Sequence, residues 1–343
     1  MKEPKVAVVI LNWNGKSFLE RFLPSVLKYN PSFAEVFVAD NGSIDGSLAF
    51  LKTRFPEVAT LDLKENHGYT GGYNLALEQI KATYYVLLNS DIEVEEGWID
   101  RIVSVMDQDP EIAACQPKIL AYSDRERFEY AGAAGGFIDY LGYPFCRGRV
   151  FDHTEEDKGQ YNSTAQVFWA TGACLFVRAS DFHRAGALDP VFFAHMEEID
   201  LCWRLGRMGK KIICEPSSVV YHVGGGTLPR NNPRKTFLNF RNNLLLLAKN
   251  LPARRFYPVL LQRLVLDQVA AVVFLLKGQN QDFLAVYKAL FAFFLLMPGK
   301  RKQSRQLTRS NGSPVYHRSI VFSYFLKRIK RFDQLKPKAF RGI

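Results

Sequence analysis

The first 90 residues alternate between short apolar runs and segments whose apolar positions recur at helical spacing. Continuous apolar runs predict buried strands at residues 6–11, 35–39, 59–63 and 84–88. Helical spacing and turn residues predict helices at residues 17–27, 46–54 and 73–80. Strands and helices in repeated succession, joined by short connections, predict an α/β fold with a mostly parallel sheet flanked by helices.

The pattern changes further along the chain. Strand character returns at residues 166–177 and 211–220, after a stretch rich in Gly, Tyr and Arg (121–159) that we expect to be irregular. Two apolar segments follow at 259–276 and 284–297, but each contains charged residues, and neither offers the roughly 18 uncharged residues expected of a spanning helix. We therefore predict three regions: a catalytic domain (1–250), an apolar helical region (251–298) and a basic tail (299–343).

The formal net charge of +11 is concentrated in the tail. Residues 299–343 hold 13 of the 45 lysines and arginines and one of the 34 acids, so the rest of the chain is close to neutral. A basic tail can bind nucleic acid or an anionic membrane surface, and apolar helices directly before it favour the membrane. The alternative is a helical bundle packed on the catalytic body or on a second subunit in a homodimer. We expect no nucleic-acid partner.

The N-terminus and the cysteines indicate a cytoplasmic protein. The charged start Met1-Lys2-Glu3-Pro4-Lys5 leads directly into the first predicted strand, without a signal peptide. Five cysteines, an odd number without metal-site spacing, are typical of reduced structural residues. Together with the apolar helices and the tail, this predicts peripheral association with the inner face of the cell membrane.

Polar side chains follow four of the predicted strands. They lie in the segments 12–15, 40–47, 66–74 and 89–91. Because ligands in open α/β sheets bind beyond the carboxyl ends of parallel strands, we expect these segments to share one site. Asn89 and Asp91 supply oxygen ligands of the type that Mg²⁺ or Mn²⁺ prefers. Gly71 and Gly72 would let backbone approach a phosphate at a helix N-terminus, so the pattern predicts a nucleotide-diphosphate site.

An acidic cluster marks the start of another predicted helix. Glu197, Glu198 and Asp200 lie where the helix dipole stabilises anions, and their crowding raises carboxyl pKa values toward the range of a useful base. A solvated first turn is the alternative, although the flanking aromatic residues favour partial burial. His222 follows the predicted strand 211–220 and lies close to three glycines, where it is either structural or a second metal ligand.

Seven segments in order give the chain a specific resemblance. They are VVILNWNG, VADNGSIDGS, ENHGYTGGYN, LLNSDIEV, ATGACLFVRASDF, FFAHMEEIDLCWRL and YHVGGGT. The chain resembles a family 2 glycosyltransferase of the bacterial, rhamnosyltransferase-like type. The resemblance implies a GT-A (Rossmann-like) fold and inverting, metal-dependent transfer from a nucleotide-diphospho-sugar to a glycan or lipid-linked acceptor in cell-surface polysaccharide synthesis. Rhamnose is one candidate sugar.

The resemblance also assigns candidate roles. Glu198 takes the place of the catalytic base, since the usual Glu-Asp pair is Glu-Glu here, with Glu197 and Asp200 beside it. Asp91 carries most of the metal binding, because the first position of the Asp-x-Asp motif is Asn89, and His222 assists. Candidate donor-binding residues are Asn12, Asn14, Asp40, Asn41, Asp45, Gly71, Gly72, Asn74 and Asn89. Candidate acceptor-binding residues are Trp169, Gly172, Ala173 and Arg241.

Two other classes of protein stay open at this point. A nucleotidyltransferase acting on sugar phosphates would also use an α/β sheet, carboxylates and Mg²⁺, but segment 12–16 is a poor version of its phosphate loop. A catalytically inactive scaffold on a membrane surface would be consistent with the altered acid pair.

Overall fold

The computed structural model describes residues 3–224, 232–304 and 312–342. The strands are β1 Val6–Asn12, β2 Ala34–Asp40, β3 Ala59–Asp62, β4 Tyr84–Asn89, β5 Ile92–Val94, β6 Ile112–Ala121, β7 Asp124–Phe128, β8 Gly136–Ile138, β9 Pro144–Cys146, β10 Arg149–Val150, β11 His153–Thr154, β12 Ala165–Gln166, β13 Cys174–Arg178, β14 Lys211–His222, β15 Val315–Tyr316 and β16 Phe340–Arg341. The helices are α1 Lys16–Lys28, α2 Ser47–Arg54, α3 Gly68–Leu77, α4 Trp98–Gln108, α5 Ala179–Arg184, α6 Glu197–Arg207, α7 Pro233–Asn250, α8 Ala253–Leu276, α9 Asn280–Ser304 and α10 Ile320–Phe325.

A ten-stranded sheet forms the centre of the protein. Its main path runs β12-β14-β6-β13-β4-β1-β2-β3, with β5 paired to β14 and β7 paired to β6. Strands β1, β2, β3 and β4 are mutually parallel, as are β6 and β14, whereas β13 is antiparallel to both of its neighbours. The mostly parallel α/β fold predicted from the alternating pattern is therefore confirmed.

The continuous apolar runs are explained by burial on both faces of the sheet. In β1, Val6, Val8 and Ile10 pack into one apolar core, while Ala7 and Val9 pack into the other. A strand covered on both sides has no solvated face, so its sequence does not alternate between apolar and polar residues. All five cysteines are buried and free, as expected.

Strand register brings the polar strand ends together. Asn12 of β1 is aligned with Asp40 of β2, and Asn89 of β4 is aligned with Leu11 of β1. On the other side, the Asn89 backbone N–H donates to the Ala173 carbonyl just before β13. The end of β14 pairs with β5, which brings His222 opposite Ile92 and next to Asp91. One edge of the sheet thus collects residues from distant parts of the chain.

Three local predictions were wrong in detail. Helix α3 begins at Gly68 rather than at residue 73, so Gly71 and Gly72 lie inside its first turns. The predicted strand 166–177 is interrupted, because the Thr171 backbone N–H donates to the Gln116 side chain instead of to a neighbouring strand. The stretch 121–159 contains β7 and a separate four-stranded antiparallel sheet, β8 to β11, rather than irregular structure alone.

Helices α7, α8 and α9 pack side by side. Thr236 near the start of α7 bonds Asp282 near the start of α9, and Arg301 near the end of α9 donates to the Ala248 carbonyl near the end of α7. These two helices therefore run parallel, while α8 runs back between their ends and forms a hairpin with α9. By length and composition alone, α8 and α9 are apolar enough to cross a membrane, with mean hydropathies of 2.0 and 1.5. The predicted division at residue 298 falls within α9.

The described part of the basic tail packs against the catalytic body. Tyr316 and Ile320 are buried, and the Ile320 backbone N–H donates to the Asp139 carboxylate at 2.9 Å. Phe332 and Phe340 join an aromatic cluster with Phe137. Residues 305–311, which include two of the tail's arginines, lie outside the described residues.

Candidate active site

A cavity of about 430 Å³ opens at the carboxyl edge of β1, β2 and β4. Half of the predicted site residues line it: Asn14, Asn41, Asn89, Asp91, Gly172, Ala173, Glu197, Glu198 and His222. They come from six separate stretches of the chain, so the clustering is produced by the topology of the sheet and not by sequence proximity. The remaining lining includes the aromatic rings of Trp13, Phe18, Tyr69 and Phe193.

One corner of the cavity holds two carboxylates around an imidazole. His222 Nε2 lies 3.2 Å from Asp91 Oδ1, and His222 Nδ1 lies 3.1 Å from Glu129 Oε2. Asn89 Nδ2 lies 3.4 Å from the same Nε2. All of these groups are largely shielded from water. Glu129 therefore orients the imidazole so that its Nε2 faces Asp91 and Asn89.

The two carboxylates control the charge of the imidazole. Burial alone would lower the pKa of His222, but Asp91 and Glu129 outweigh it and raise the pKa to about 10. Burial tends to raise the pKa values of Asp91 and Glu129, yet the adjacent imidazolium leaves both pKa values lowered. Without a cation at this corner, protonated His222 offsets one of the two negative charges of Asp91 and Glu129.

This corner has a donor set that fits a divalent metal shared with a substrate. Asp91 and His222 present an oxygen and a nitrogen to the cavity, and Glu129 supports His222 from behind. Within residues 3–224, 232–304 and 312–342, no group of three His, Cys, Asp or Glu side chains would hold a metal by itself. Mg²⁺ commonly takes only one or two protein carboxylates and completes its shell with substrate phosphates and water. The site therefore fits an ion that binds together with a diphosphate.

The acid pair also lines the cavity, at the start of α6. Burial, together with the charge of Glu198, raises the pKa of Glu197 well above its usual value. Burial also raises the pKa of Glu198, to about 7. The Oε2 atoms of both side chains have no hydrogen-bond partner in the described part of the chain. Because two adjacent carboxylates resist double ionisation, Glu197 and Glu198 titrate as a pair that favours holding one shared proton over losing both.

The loop before the acid pair is held in an unusual backbone conformation. Phe193, His195 and Met196 have φ angles of +62°, +70° and +74°. The Asn242 amide nitrogen in α7 lies 2.8 Å from the carbonyl oxygens of three loop residues (Phe192, Ala194 and His195) and donates to them. The Phe193 carbonyl also accepts hydrogen bonds from the first turn of α3. These bonds fix the position from which α6 and its carboxylates begin.

His195 of this loop lines the cavity in its neutral form. Burial, with a contribution from Lys235, lowers the pKa of the imidazole to about 4. Its Nε2 is shielded from water and has no partner in the described residues. A neutral imidazole in this position can exchange a hydrogen bond with a substrate hydroxyl.

Several predicted donor-binding residues lie beneath the cavity wall. Asn12 is buried and donates to Asp40 Oδ1 at 2.9 Å, and Asp40 Oδ2 accepts from the Ser43 backbone N–H. Asp45 accepts from the backbone N–H groups of Lys16 and Ser47, at the starts of α1 and α2. These side chains shape the loops on which Asn14 and Asn41 reach the cavity.

Six more predicted residues lie outside the cavity lining. Gly72 allows close packing, since a Cβ there would come within 2.7 Å of Leu11. Asp200 is fully buried and pairs with Arg204 and Lys249, each at 2.8 Å. The remaining four also have packing or hydrogen-bonding contacts: Gly71 against His67, Asn74 with Leu188, Trp169 with the Phe137 carbonyl, and Arg241 with the Val191 and Phe192 carbonyls.

Sequence reasoning missed three residues that shape the site. Glu129 follows β7 in a stretch with no recognisable pattern, and Asn242 is the neighbour of the predicted residue Arg241 but has no signal of its own. Tyr69 donates from its hydroxyl to the Gly172 carbonyl at 2.6 Å and lines the cavity beside Gly172. The position of Tyr69 directly after Gly68 is its only local signal in the sequence, and no local pattern indicates Glu129. The glycines at 225 and 226 after His222 lie outside the described residues.

Solved structures identify the class of protein that this fold and site define. The chain superposes on the crystal structure of GalNAc-T7 with UDP, GalNAc and Mn²⁺, with a TM-score of 0.55 and 18% identity, covering 72% of this chain and 48% of that one. It also superposes on the mannosyltransferase PcManGT from Pyrobaculum calidifontis in complex with GDP-Man and Mn²⁺, with a TM-score of 0.53 and 15% identity over 90% and 86% of the two chains. The protein has a GT-A glycosyltransferase fold.

Sequence comparison then gives the family. Residues 7–179 match the family described as glycosyl transferase family 2, and the chain belongs to that family. A relative from Mycobacterium tuberculosis, N-acetylglucosaminyl-diphospho-decaprenol L-rhamnosyltransferase, is 29% identical over 233 residues, which cover 63% of this chain and 75% of the relative. The protein is thus a glycosyltransferase of the rhamnosyltransferase-like type, as its motifs indicated.

Proposed function

We propose that the protein is an inverting, metal-dependent glycosyltransferase that moves a sugar from a nucleotide-diphosphate donor to a lipid-linked glycan in cell-surface polysaccharide synthesis. One observation carries the proposal: a single cavity is lined by both a partly ionisable carboxyl pair and a metal-compatible Asp–His corner. General-base and diphosphate-binding groups are the two requirements of a one-step displacement.

Glu198 is the proposed base. Its raised pKa, about 7, keeps a useful fraction ionised near neutral pH while leaving the carboxylate basic enough to accept a proton from an acceptor hydroxyl. Glu197, which stays protonated, can donate a hydrogen bond from its carboxyl group. Attack of the activated oxygen on the face opposite the diphosphate would invert the anomeric centre, with no covalent enzyme intermediate.

Asp91 and His222 are the proposed metal ligands, with Asn89 beside them. A bound Mg²⁺ or Mn²⁺ would supply Lewis-acid neutralisation of the charge that develops on the leaving diphosphate. Asn14 and Asn41 present side chains to the nucleotide end of the cavity, and Gly172 and Ala173 border the acceptor side. The mycobacterial relative's name describes L-rhamnose transfer to a decaprenol-linked acceptor, which supports rhamnose and a lipid-linked glycan as candidates here.

A membrane-facing surface supports the lipid-linked acceptor. Of 20 large hydrophobic side chains exposed in the described residues, 16 belong to α8, α9 and α10, and Leu326 directly follows α10. The charge pattern of α8 is inverted: Arg263 and Asp267 are buried against the body, whereas Leu261, Val265 and Leu276 face outward. Soluble helices have the opposite arrangement. We propose that this face lies in the interfacial region of the cytoplasmic leaflet, since α8 and α9 also pack along the body.

A transfer assay with two matched variants tests the reaction. The full chain would be incubated with a panel of nucleotide-sugars, with and without Mn²⁺, while nucleoside diphosphate release and product configuration are measured. Glu198→Gln should lower turnover by roughly 100-fold or more, because glutamine cannot accept the proton. Glu197→Gln should retain most activity, because an amide resembles a protonated carboxyl group.

The outcomes separate the proposal from its rivals. If Glu197→Gln is the inactive variant, the two roles are exchanged. Pyrophosphate release from a nucleoside triphosphate and a sugar phosphate would identify a nucleotidyltransferase instead. Absence of turnover with every donor and metal would favour the inactive scaffold. For the membrane surface, Leu261→Glu with Val265→Glu should abolish sedimentation with vesicles while leaving donor hydrolysis unchanged.

A further inference from the structure

We propose that a second cavity, where α8 begins and α9 ends, binds the phosphate head group of an anionic membrane lipid. This inference rests on the proposed membrane association and names the lipid site that would serve it. The cavity has a volume of about 420 Å³ and lies between α7, α8 and β15. Its inner wall is apolar, with Trp203, Leu247 and Val259, and its outer part carries Gln262 and His317.

Two arginines give this cavity its positive charge. Arg254 and Arg255, in the first turn of α8, line the cavity and are exposed. Neither forms an ion pair or a side-chain hydrogen bond with any residue in the described ranges. Arg301 nearby is engaged differently, since it donates to the Ala248 carbonyl and stacks on Phe256. Arg254 and Arg255 are therefore available to a ligand.

The helix direction adds to the case for an anion. Cations in the first turn of a helix are opposed by the helix dipole, and α8 has no acidic residue and no side-chain cap there. Asp139 also lines the cavity, but its carboxylate accepts backbone N–H groups from Leu141, Tyr143 and Ile320. A phosphate beside the two arginines would supply the negative charge that the protein itself does not place there.

The neighbouring surface identifies the phosphate as part of a lipid. Tyr257, Leu261 and Val265 begin the exposed apolar face of α8 one turn beyond the arginines. A lipid with its chains along this face would place its head group at the cavity. Arg254 and Arg255 present guanidinium groups, which bind phosphate oxygens in a paired geometry.

The cavity is separate from the active site. Lys235 lines the first cavity and Leu251 lines the second, and both lie along the line of α7. At 1.5 Å per residue, these two positions are about 24 Å apart, too far for one phosphate group to contact both cavities. The ligand of the second cavity is therefore a separate lipid and not the reacting end of the acceptor.

Vesicle binding with charge-matched variants tests the site. The full chain would be titrated with phosphatidylcholine vesicles with and without phosphatidylglycerol. Arg254→Gln with Arg255→Gln should weaken the phosphatidylglycerol-dependent binding by roughly 30-fold. Lys327→Gln with Arg328→Gln, beside the exposed apolar residues of α10, removes the same charge. This pair should weaken the phosphatidylglycerol-dependent binding several-fold less than the Arg254 and Arg255 pair does. A second control pair, Lys52→Gln with Arg54→Gln on α2, should have no effect.

A solution titration keeps the two proposals distinguishable. Short-chain phosphatidylglycerol below its micelle concentration should saturate at one molecule per chain, and inorganic phosphate should compete weakly or not at all. Equal losses for the Arg254/Arg255 and Lys327/Arg328 pairs would overturn the site in favour of diffuse surface charge. Phosphate binding as tightly as the lipid would overturn the lipid assignment. If the intact chain ignores every vesicle yet binds the short-chain lipid, the membrane proposal fails while the site stands.

Discussion

Asn242→Ala is expected to lower turnover, although Asn242 lies outside the cavity. The amide nitrogen of Asn242 lies 2.8 Å from three carbonyl oxygens of the loop that precedes the acid pair, and its Oδ1 accepts from Arg241 Nε at 2.9 Å. Alanine removes all four contacts; the Phe192 carbonyl keeps its hydrogen bond from Arg241, whereas the carbonyl groups of Ala194 and His195 lose their bond from Asn242. The loop also contains three non-glycine residues with positive φ, a conformation that persists only where its surroundings enforce it.

The expected magnitude follows from these contacts. Each buried hydrogen bond contributes about 0.5–1.5 kcal/mol, and the amide has two hydrogens to share among three acceptors, so the loss in unfolding free energy should be about 3 kcal/mol. Part of this loss in unfolding free energy is offset if the loop relaxes toward ordinary backbone angles. That relaxation moves the start of α6, and with it Glu197 and Glu198. Turnover by folded protein should then fall by roughly 10-fold or more.

Asn243→Ala provides a matched control on the same helix. Asn243 is equally buried, donates to the Gly142 carbonyl at 2.8 Å and accepts from Arg263. It reaches the loop only through a weak contact with the Met196 sulfur at 3.8 Å, whereas Asn242 binds the loop backbone. Both variants should lose comparable stability in urea unfolding. Only Asn242→Ala should lose turnover when donor hydrolysis is corrected for the folded fraction. Full turnover by folded Asn242→Ala, or an equal loss in Asn243→Ala, would show that the loop does not depend on this amide.

Three further predictions concern the acceptor wall, the base and the hairpin. Gly172→Ala places a Cβ about 2.7 Å from the Tyr69 hydroxyl, so acceptor kcat/KM should fall about 10-fold while the melting temperature changes little. Because Glu198 must be ionised, transfer should decline as pH falls through about 7, and a flat profile from pH 5 to 8 would contradict its role. Arg263→Met should cost about 3–5 kcal/mol by leaving Asp267 buried and unpaired, and Arg263→Met with Asp267→Leu should recover most of it in urea unfolding.

The parts of the fold that sequence predicted are those with local signals. The runs 6–11 and 84–88 are apolar because both faces of their strands are covered, and a polar residue directly after such a run marks the sheet edge. Asn89 and Asp91 could therefore be assigned to the site before the structure was known. The same reasoning reached Asp40 but could not distinguish a residue that lines the cavity from one that supports its wall, since both follow a strand.

The rest of the site depends on contacts between distant residues. Glu129 reaches His222 across 93 positions, and Asn242 reaches the loop across about 50. No periodic pattern or turn motif in the sequence predicts such contacts, because they form only when β6, β14 and α7 are assembled in the folded protein. The orientation of α8 was equally inaccessible. Its two internal charges argued against a spanning helix, yet they lie on the side that faces the body and leave the outer face uncharged beyond Arg254 and Arg255 in the first turn.

If the proposed membrane association holds, the arrangement of α7, α8 and α9 would connect the chemistry to the membrane. The start of α7 borders the active-site cavity through Arg234 and Lys235, and its Phe240 contacts Phe274 near the end of α8. The turn between α8 and α9 therefore lies on the active-site side, while Arg254 and Arg255 lie at the far end of the same apolar face. A lipid bound at the arginines would fix that end, and the other end would hold the cavity close to the leaflet. An acceptor carried by a lipid could then reach Glu198 without leaving the membrane surface.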